Sequence, residues 1–307
     1  MKVAVAGATG FVGQRLVQRL QAEGHQVIAL TRNLEQARQV FSAANHSLEI
    51  VAYTPTESGD WQQAIAGCEA VVNLAGEPIA EKRWTLEEKT IILSSRQLVT
   101  RKLVEAIQQS NPKPGVLVNA SAIGYYGTSE TAVFDETSGP GNDFLAEVCK
   151  TWETEANQVK QAGVRVVILR LGIVLDKDGG ALAKMLPAFR LFAGGPIGSG
   201  KQWFSWIHRD DVVDLILYAL THPEMAGVFN ATAPNPVHMA DLSHTLGQVL
   251  KRPSWLPVPA FALEMMLGDG AKVVLEGQQV LPKQTQEAGF QFRYPTLEQA
   301  LEQILKS

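Results

Sequence analysis

The opening residues, MKVAVAGATGFVG, constrain this chain more than any other stretch. Val3, Ala4, Val5 and Ala6 form a short apolar run without polar interruption, the pattern of a strand buried on both faces. It stops at Gly7. From Phe11 onward Phe11, Val12, Leu16, Val17 and Leu20 recur at helical spacing, so a helix follows the turn directly. Strand, glycine turn and helix in immediate succession suit a pyrophosphate. Gly7 permits the tight turn, Gly10 lets the backbone approach the phosphates, and Gly13 lets the helix pack on the strand. Unpaired N–H groups at the helix start then face the anion. Thr9, Phe11 and Val12 share this corner and join the three glycines as candidate cofactor contacts.

The second strand, Gln26 to Leu30, closes a βαβ unit and ends in Thr31-Arg32-Asn33. An acidic residue here would accept hydrogen bonds from a ribose 2′-OH, whereas Arg32 offers a planar fork for a 2′-phosphate. The expected dinucleotide is therefore NADP(H).

Further strands are expected near 47–51, over 70–76, 115–120 and 164–169, and near 228–230, with helices over 60–66, 86–109, from 143 to about 162, 181–191, 212–221 and 297–305. The fold class that follows is α/β: a Rossmann doubly wound parallel sheet with a smaller C-terminal substrate lobe. Residues 1–170, with 206–235 returning to it, are assigned to the NADP-binding domain, and 171–205 with 236–307 to the lobe. In such sheets ligands lie outside the carboxyl ends of the strands. Leu74, Ala75 and Gly76 should then border the cofactor, and Arg96 points at it if the first half of its helix faces the crevice.

Ser121 follows the fifth strand, and Tyr125 and Tyr126 come just after it, bringing a hydroxyl and two phenols to where a substrate should meet a nicotinamide. The polar, Gly- and Pro-containing segment 128–142 reads as a mobile loop. Phe144, Val148, Trp152 and Ala156 recur every four residues as a core-facing stripe.

Composition narrows the partners. With 307 residues the chain has room for one large α/β unit plus a lobe, and its formal charge of −4 comes without a long basic stripe, so nucleic acid is not an expected partner and a small-molecule substrate is. Cys68 and Cys149 show no metal-ligand spacing and fit a reducing compartment. No metal is expected. No apolar run approaches the roughly 20 residues of a bilayer span, and the chain enters its first strand at once, so a cytoplasmic location is expected.

The segments GATGFVG, NLAGEPIAEKRW, SAIGYYG, ILRLGIVL, GGALAKMLPAFR, GGPIGSGKQWFSWIHRDD, FNATAPNPV and GQQVLPKQTQEAGF together resemble an extended short-chain dehydrogenase/reductase. Specifically, they are similar to the epimerase-like subgroup labelled nucleoside-diphosphate-sugar epimerase. The resemblance implies NADP(H) as cofactor, a nucleotide sugar as substrate and a lobe closing over it. Members occur in chloroplasts, although no leader of that kind is expected here.

It further implies a Ser, a Tyr acid/base and a Lys four residues after it. Ser121 matches the first. About 24 residues on, with Glu153 fixing the register, Leu145 falls at the Tyr position and Cys149 at the Lys position; a shift of one gives Phe144 and Val148. Neither register supplies a phenol or an amine. Three readings follow: an NADP(H)-dependent oxidoreductase or epimerase using Tyr125 or Tyr126 beside Ser121, with Lys201, Arg170 or the nicotinamide lowering the phenol pKa; a catalytically silent NADP(H)-binding regulator or scaffold; or catalysis by His208 or Cys149. For His208 a structural tie between lobe and core is the simpler role. The GGPIGSG loop with Lys201, Trp203 and Trp206 suits a phosphate or a ring.

Overall fold

A computed structural model describes residues 1–42 and 46–306. Seven strands form one parallel sheet: β1 (Lys2–Ala6), β2 (Gln26–Thr31), β3 (Leu48–Ala52), β4 (Ala70–Asn73), β5 (Val116–Ala122), β6 (Arg165–Leu171) and β7 (Gly227–Ala231). Their spatial order is β7-β6-β5-β4-β1-β2-β3, reversing direction at β1, where a doubly wound sheet leaves its crevice. Val3 stands beside Val27 on one side and Ala70 on the other.

Alternation along the strands sends side chains into two cores. Val3, Val5, Val27 and Ala29 pack with Leu16 and Leu20 of helix α1 (Phe11–Ala22), and with Val212 and Leu215 of a helix over Arg209–Thr221. Ala4, Ala6, Ile28 and Leu30 belong to the opposite layer with Val99, Leu103 and Ile107. Both faces are covered, which is why these strands read as unbroken apolar runs. A third core joins Leu182, Leu186, Phe189 and Trp206 to Leu242, Leu246, Leu301 and Ile304.

The long helix expected over 86–109 spans Leu86–Gln109, capped by the Thr85 hydroxyl, which accepts from Glu88 N. Three expectations are corrected. The fourth strand ends at Asn73, where the chain turns so that Asn73 Oδ1 accepts from Ala75 N, while its side-chain Nδ2 donates to Asn119 Oδ1 at 2.7 Å and Thr100 Oγ1 at 2.9 Å. The fifth runs on to Ala122, so Ser121 is a strand residue held in the ladder opposite Arg170. Segment 128–142 is anchored rather than free: Val133–Phe134 pairs with Gln279–Val280, and the Glu136 carboxylate accepts from the backbone N–H groups of Asn230 and Gln284.

Candidate functional site

At the end of β1 the chain turns through Gly7, whose φ of +78° disfavours other residues and where a Cβ would lie 2.8 Å from the Leu74 carbonyl. A Cβ on Gly13 would come within 2.1 Å of Gly7 O. Strand, turn and helix are therefore locked at backbone contact. Gly10 caps α1 in extended conformation without a side-chain bond, so the first helical N–H groups face outward. They border a crevice of about 880 Å³ lined by Gly7, Gly10, Phe11, Val12 and Gly13, by Leu74, Gly76, Glu77 and Arg96, and by Ser121 at its floor.

Thr9 and Ala75 lie beside this lining rather than on it. Thr9 O accepts from the Gln14 amide at 2.7 Å, and Ala75 N donates to Asn73 Oδ1. The Phe11 ring is wedged against the backbone of Gly179. Arg32 stands exposed at the tip of β2, its Nη1 donating to Glu77 Oε1 at 2.6 Å.

Arg96 enters the crevice from the long helix. Its guanidinium donates to Glu77 O at 2.9 Å and Ile92 O at 3.1 Å, packs over the Trp152 ring at 5.2 Å and abuts Gly76. It forms no ion pair among the described residues, and burial lowers its pKa. Trp152 Nε1 is buried in the same wall without a hydrogen-bond partner among the described residues. A desolvated cation and an orphaned indole N–H side by side are unfavourable unless a polar group arrives to meet them.

The floor is a buried polar chain. Ser121 Oγ donates to Glu153 Oε1 at 2.7 Å, while Arg170 Nε and Nη2 donate to the two Glu153 oxygens at 2.8 Å each. Arg170 Nη1 reaches the Tyr126 oxygen at 3.0 Å, and Tyr126 donates to Asn230 Oδ1 at 2.7 Å. Burial pushes the Tyr126 phenol up to about 12 despite Arg170. The Tyr125 ring lies against the Arg170 guanidinium at 3.3 Å.

The acid/base role expected for these tyrosines meets a geometric obstacle. A short 3₁₀ turn over Ile123–Tyr126 winds both rings back over Arg170, and neither belongs to the crevice lining. Leu145, Val148, Cys149 and Phe144 face the crevice instead, from α4 (Phe144–Asn157), which follows α2 (Leu34–Val40) and α3 (Leu86–Gln109) along the chain. The stripe expected to face the core thus divides: Phe144, Val148 and Trp152 line the crevice, and Ala156 enters the core.

Burial pushes the Cys149 thiol up to about 11, and its sulfur lies 3.5 Å from Ala122 O. His208 sits away from the crevice, with Nδ1 accepting from Asp210 N, Nε2 2.8 Å from Gln303 Oε1 and its ring against Tyr294. Trp206 is fully buried and Lys201 lies outside the lining; only Trp203 of that expected trio reaches it. Sequence reasoning missed Trp84, Trp152, Lys272 and Gln278, which also line the crevice. Trp152 was visible as part of the helical stripe, whereas Lys272 and Gln278 arrive from the far end of the chain.

A parallel sheet in this order, with a glycine cradle below a crevice at its strand ends, defines a Rossmann protein of the short-chain dehydrogenase/reductase type. The model of the NAD dependent epimerase/dehydratase family matches residues 3–231, and the chain belongs to that family. A domain of unknown function, DUF1731, matches residues 258–304. The Epimerase family protein SDR39U1 homolog, chloroplastic, of Arabidopsis thaliana is 54% identical over 308 residues, covering 100% of this chain and 87% of its own. Epimerase family protein YfhF of Bacillus subtilis is 39% identical, covering 99% and 98%. The crystal structure of human epimerase family protein SDR39U1 with NADPH has a TM-score of 0.88 at 34% identity, covering 100% of both chains. None of the described helices is long and apolar enough to cross a membrane.

Proposed function

We propose that this chain binds NADP(H) in the crevice and acts on a small molecule as an epimerase-family oxidoreductase. The observation that carries the reading is the continuous path from the glycine cradle, past Arg96 and Trp152 Nε1, which among the described residues lack an ion pair and a hydrogen-bond partner respectively, to Ser121 at the floor. The α1 N-terminus would hold the pyrophosphate, with Arg96 and Trp152 Nε1 as further donors in the wall. Arg32 would receive the 2′-phosphate, exchanging Glu77 for it. That the similar human protein was crystallised with NADPH supports the choice of nucleotide. When bound, a nicotinamide supplies hydride chemistry.

Leu145 and Cys149 stand where the family resemblance leads one to look for Tyr and Lys. Proton exchange then has to use a group other than a phenol on α4. Ser121 is the hydroxyl at the floor, and because its proton points to Glu153 it presents lone pairs to the crevice. The work of domains follows: residues 1–170 with 206–235 hold the nucleotide, and 171–205 with 236–307 complete the substrate side. A reducing compartment, the cytoplasm in our reading, fits two buried free thiols.

Calorimetric titration tests this. NADPH should bind the chain one to one and more tightly than NADH; no heat with either nucleotide would end the proposal.

A further inference from the structure

The crevice continues beyond Ser121 toward the C-terminal segment, and this half has a chemical character of its own. Its walls carry Ile79 and Trp84 on one side, Phe144, Leu145 and Val148 on α4, and Ile173 after β6. Trp84 meets Phe144 edge to face at 5.2 Å between ring centroids, forming an aromatic corner.

Polar side chains are present there, and all but Lys272 of those named here are already engaged. Gln278 donates to Ile123 O at 3.0 Å, and Ser205 donates to Gln278 O while accepting from Val280 N. Thr128 donates to Glu276 at 2.7 Å. The indole nitrogens of Trp84 and Trp203 donate to Ile79 O and Glu130 O. Lys89 is paired with Asp269 at 2.9 Å, which leaves Lys272 as the one cation of this half without an ion pair among the described residues.

A sugar diphosphate brings several hydroxyls and two negative charges. Each hydroxyl buried without a partner is costly, and a diphosphate is ordinarily met by several cationic or N–H donors. Apart from the single cation Lys272, a wall of paired polar groups and apolar side chains offers little to either; it rewards removal of apolar surface from water. We propose that the half of the crevice beyond Ser121 takes an apolar carbonyl compound or its carbinol, and not a nucleotide sugar. The carbonyl part of this statement rests on the NADP(H) reading above; the apolar part rests on the wall alone.

Equilibrium dialysis of the full chain against 2-acetonaphthone, and separately against UDP-glucose, tests it with and without saturating NADP⁺. The ketone should be retained at one per chain and UDP-glucose should not. Ile79→Asn and Phe144→Asn, at half-buried positions where an amide is tolerated sterically, should each weaken ketone retention at least about tenfold, with thermal melting showing that both variants are folded. Retention of UDP-glucose, loss of ketone retention in the unmodified chain, or ketone retention unchanged in both variants overturns the proposal. Failure of NADP⁺ to bind overturns the cofactor reading instead, and the cofactor-free arm still decides the ligand class.

Discussion

Ser121 Oγ gives its proton to Glu153 Oε1 across 2.7 Å, tying the strand at the crevice floor to the helix beside it. Because Arg170 grips the same carboxylate with two nitrogens, replacing Glu153 strands a buried guanidinium. Glu153→Gln should cost about 3–5 kcal/mol of stability, and Ser121→Ala about 1 kcal/mol. Chemical denaturation of the three proteins measures both, and equal stability of Glu153→Gln and the unmodified chain would refute the account.

Arg32 and Glu77 form an exposed pair at the mouth of the nucleotide end. Arg32→Ala should lower NADPH affinity about tenfold or more, the loss of a charge-assisted contact of about 1.5–3 kcal/mol, with NADH little changed. Glu77→Gln should act in the opposite sense, since it frees the guanidinium. Calorimetry decides: equal weakening of both nucleotides by Arg32→Ala would rule out a 2′-phosphate contact.

Gly13 admits no side chain, since a Cβ there would sit 2.1 Å from Gly7 O. Gly13→Ala should cost about 1–3 kcal/mol through overpacking and abolish nucleotide binding by opening the βα corner. A variant that melts and binds like the unmodified chain would show that the corner is looser than described.

Asp211 gives a pH signature. Burial pushes its carboxyl up to about 6 from an ordinary 3.8, although Arg293 N and Tyr294 N donate to its oxygens. The folded state therefore binds a proton that the unfolded chain releases between these values. Its stabilising contribution is present at about pH 4 and is lost as the pH rises to about 6. Asp214, also raised by burial, adds to the slope. Melting temperatures of Asp211→Asn should fall less steeply over this range, and an unchanged slope would contradict the assignment.

Both thiols should be inert in the folded chain. Burial pushes Cys68 and Cys149 each up to about 11, so iodoacetamide near pH 8 should modify them on the order of a hundredfold more slowly than in denaturant. Mass spectrometry reads the difference, and rapid labelling of Cys149 without unfolding would return it to the list of candidate nucleophiles.

Much of this architecture was legible in the residues, and the failures share a cause. β1 and α1 were visible because burial on both sheet faces and on one helix face leaves distinct periodicities, and the 86–109 helix because Asn111-Pro112 bars its continuation. Ser121 was expected just after an apolar strand and lies within it, because that strand runs on to Ala122. Tyr125 and Tyr126 were expected at the substrate, and their rings instead pack on Arg170, a residue of another strand. Segment 128–142 looked free because its partner strand, Gln279–Val280, lies far downstream. Local pattern records how a segment folds, and not which distant group will claim its side chains.

The crevice is drawn from distant parts of the chain: Gly7 to Gly13 supply the glycine corner, Ile79 to Ile173 the floor and much of the wall, and Asp269 to Gln278 part of the wall beyond Ser121. The ribosome delivers them in that order. A growing polypeptide thus emerges with its glycine corner first and the last part of its substrate wall late, and a product cut short before residue 269 would lack that part.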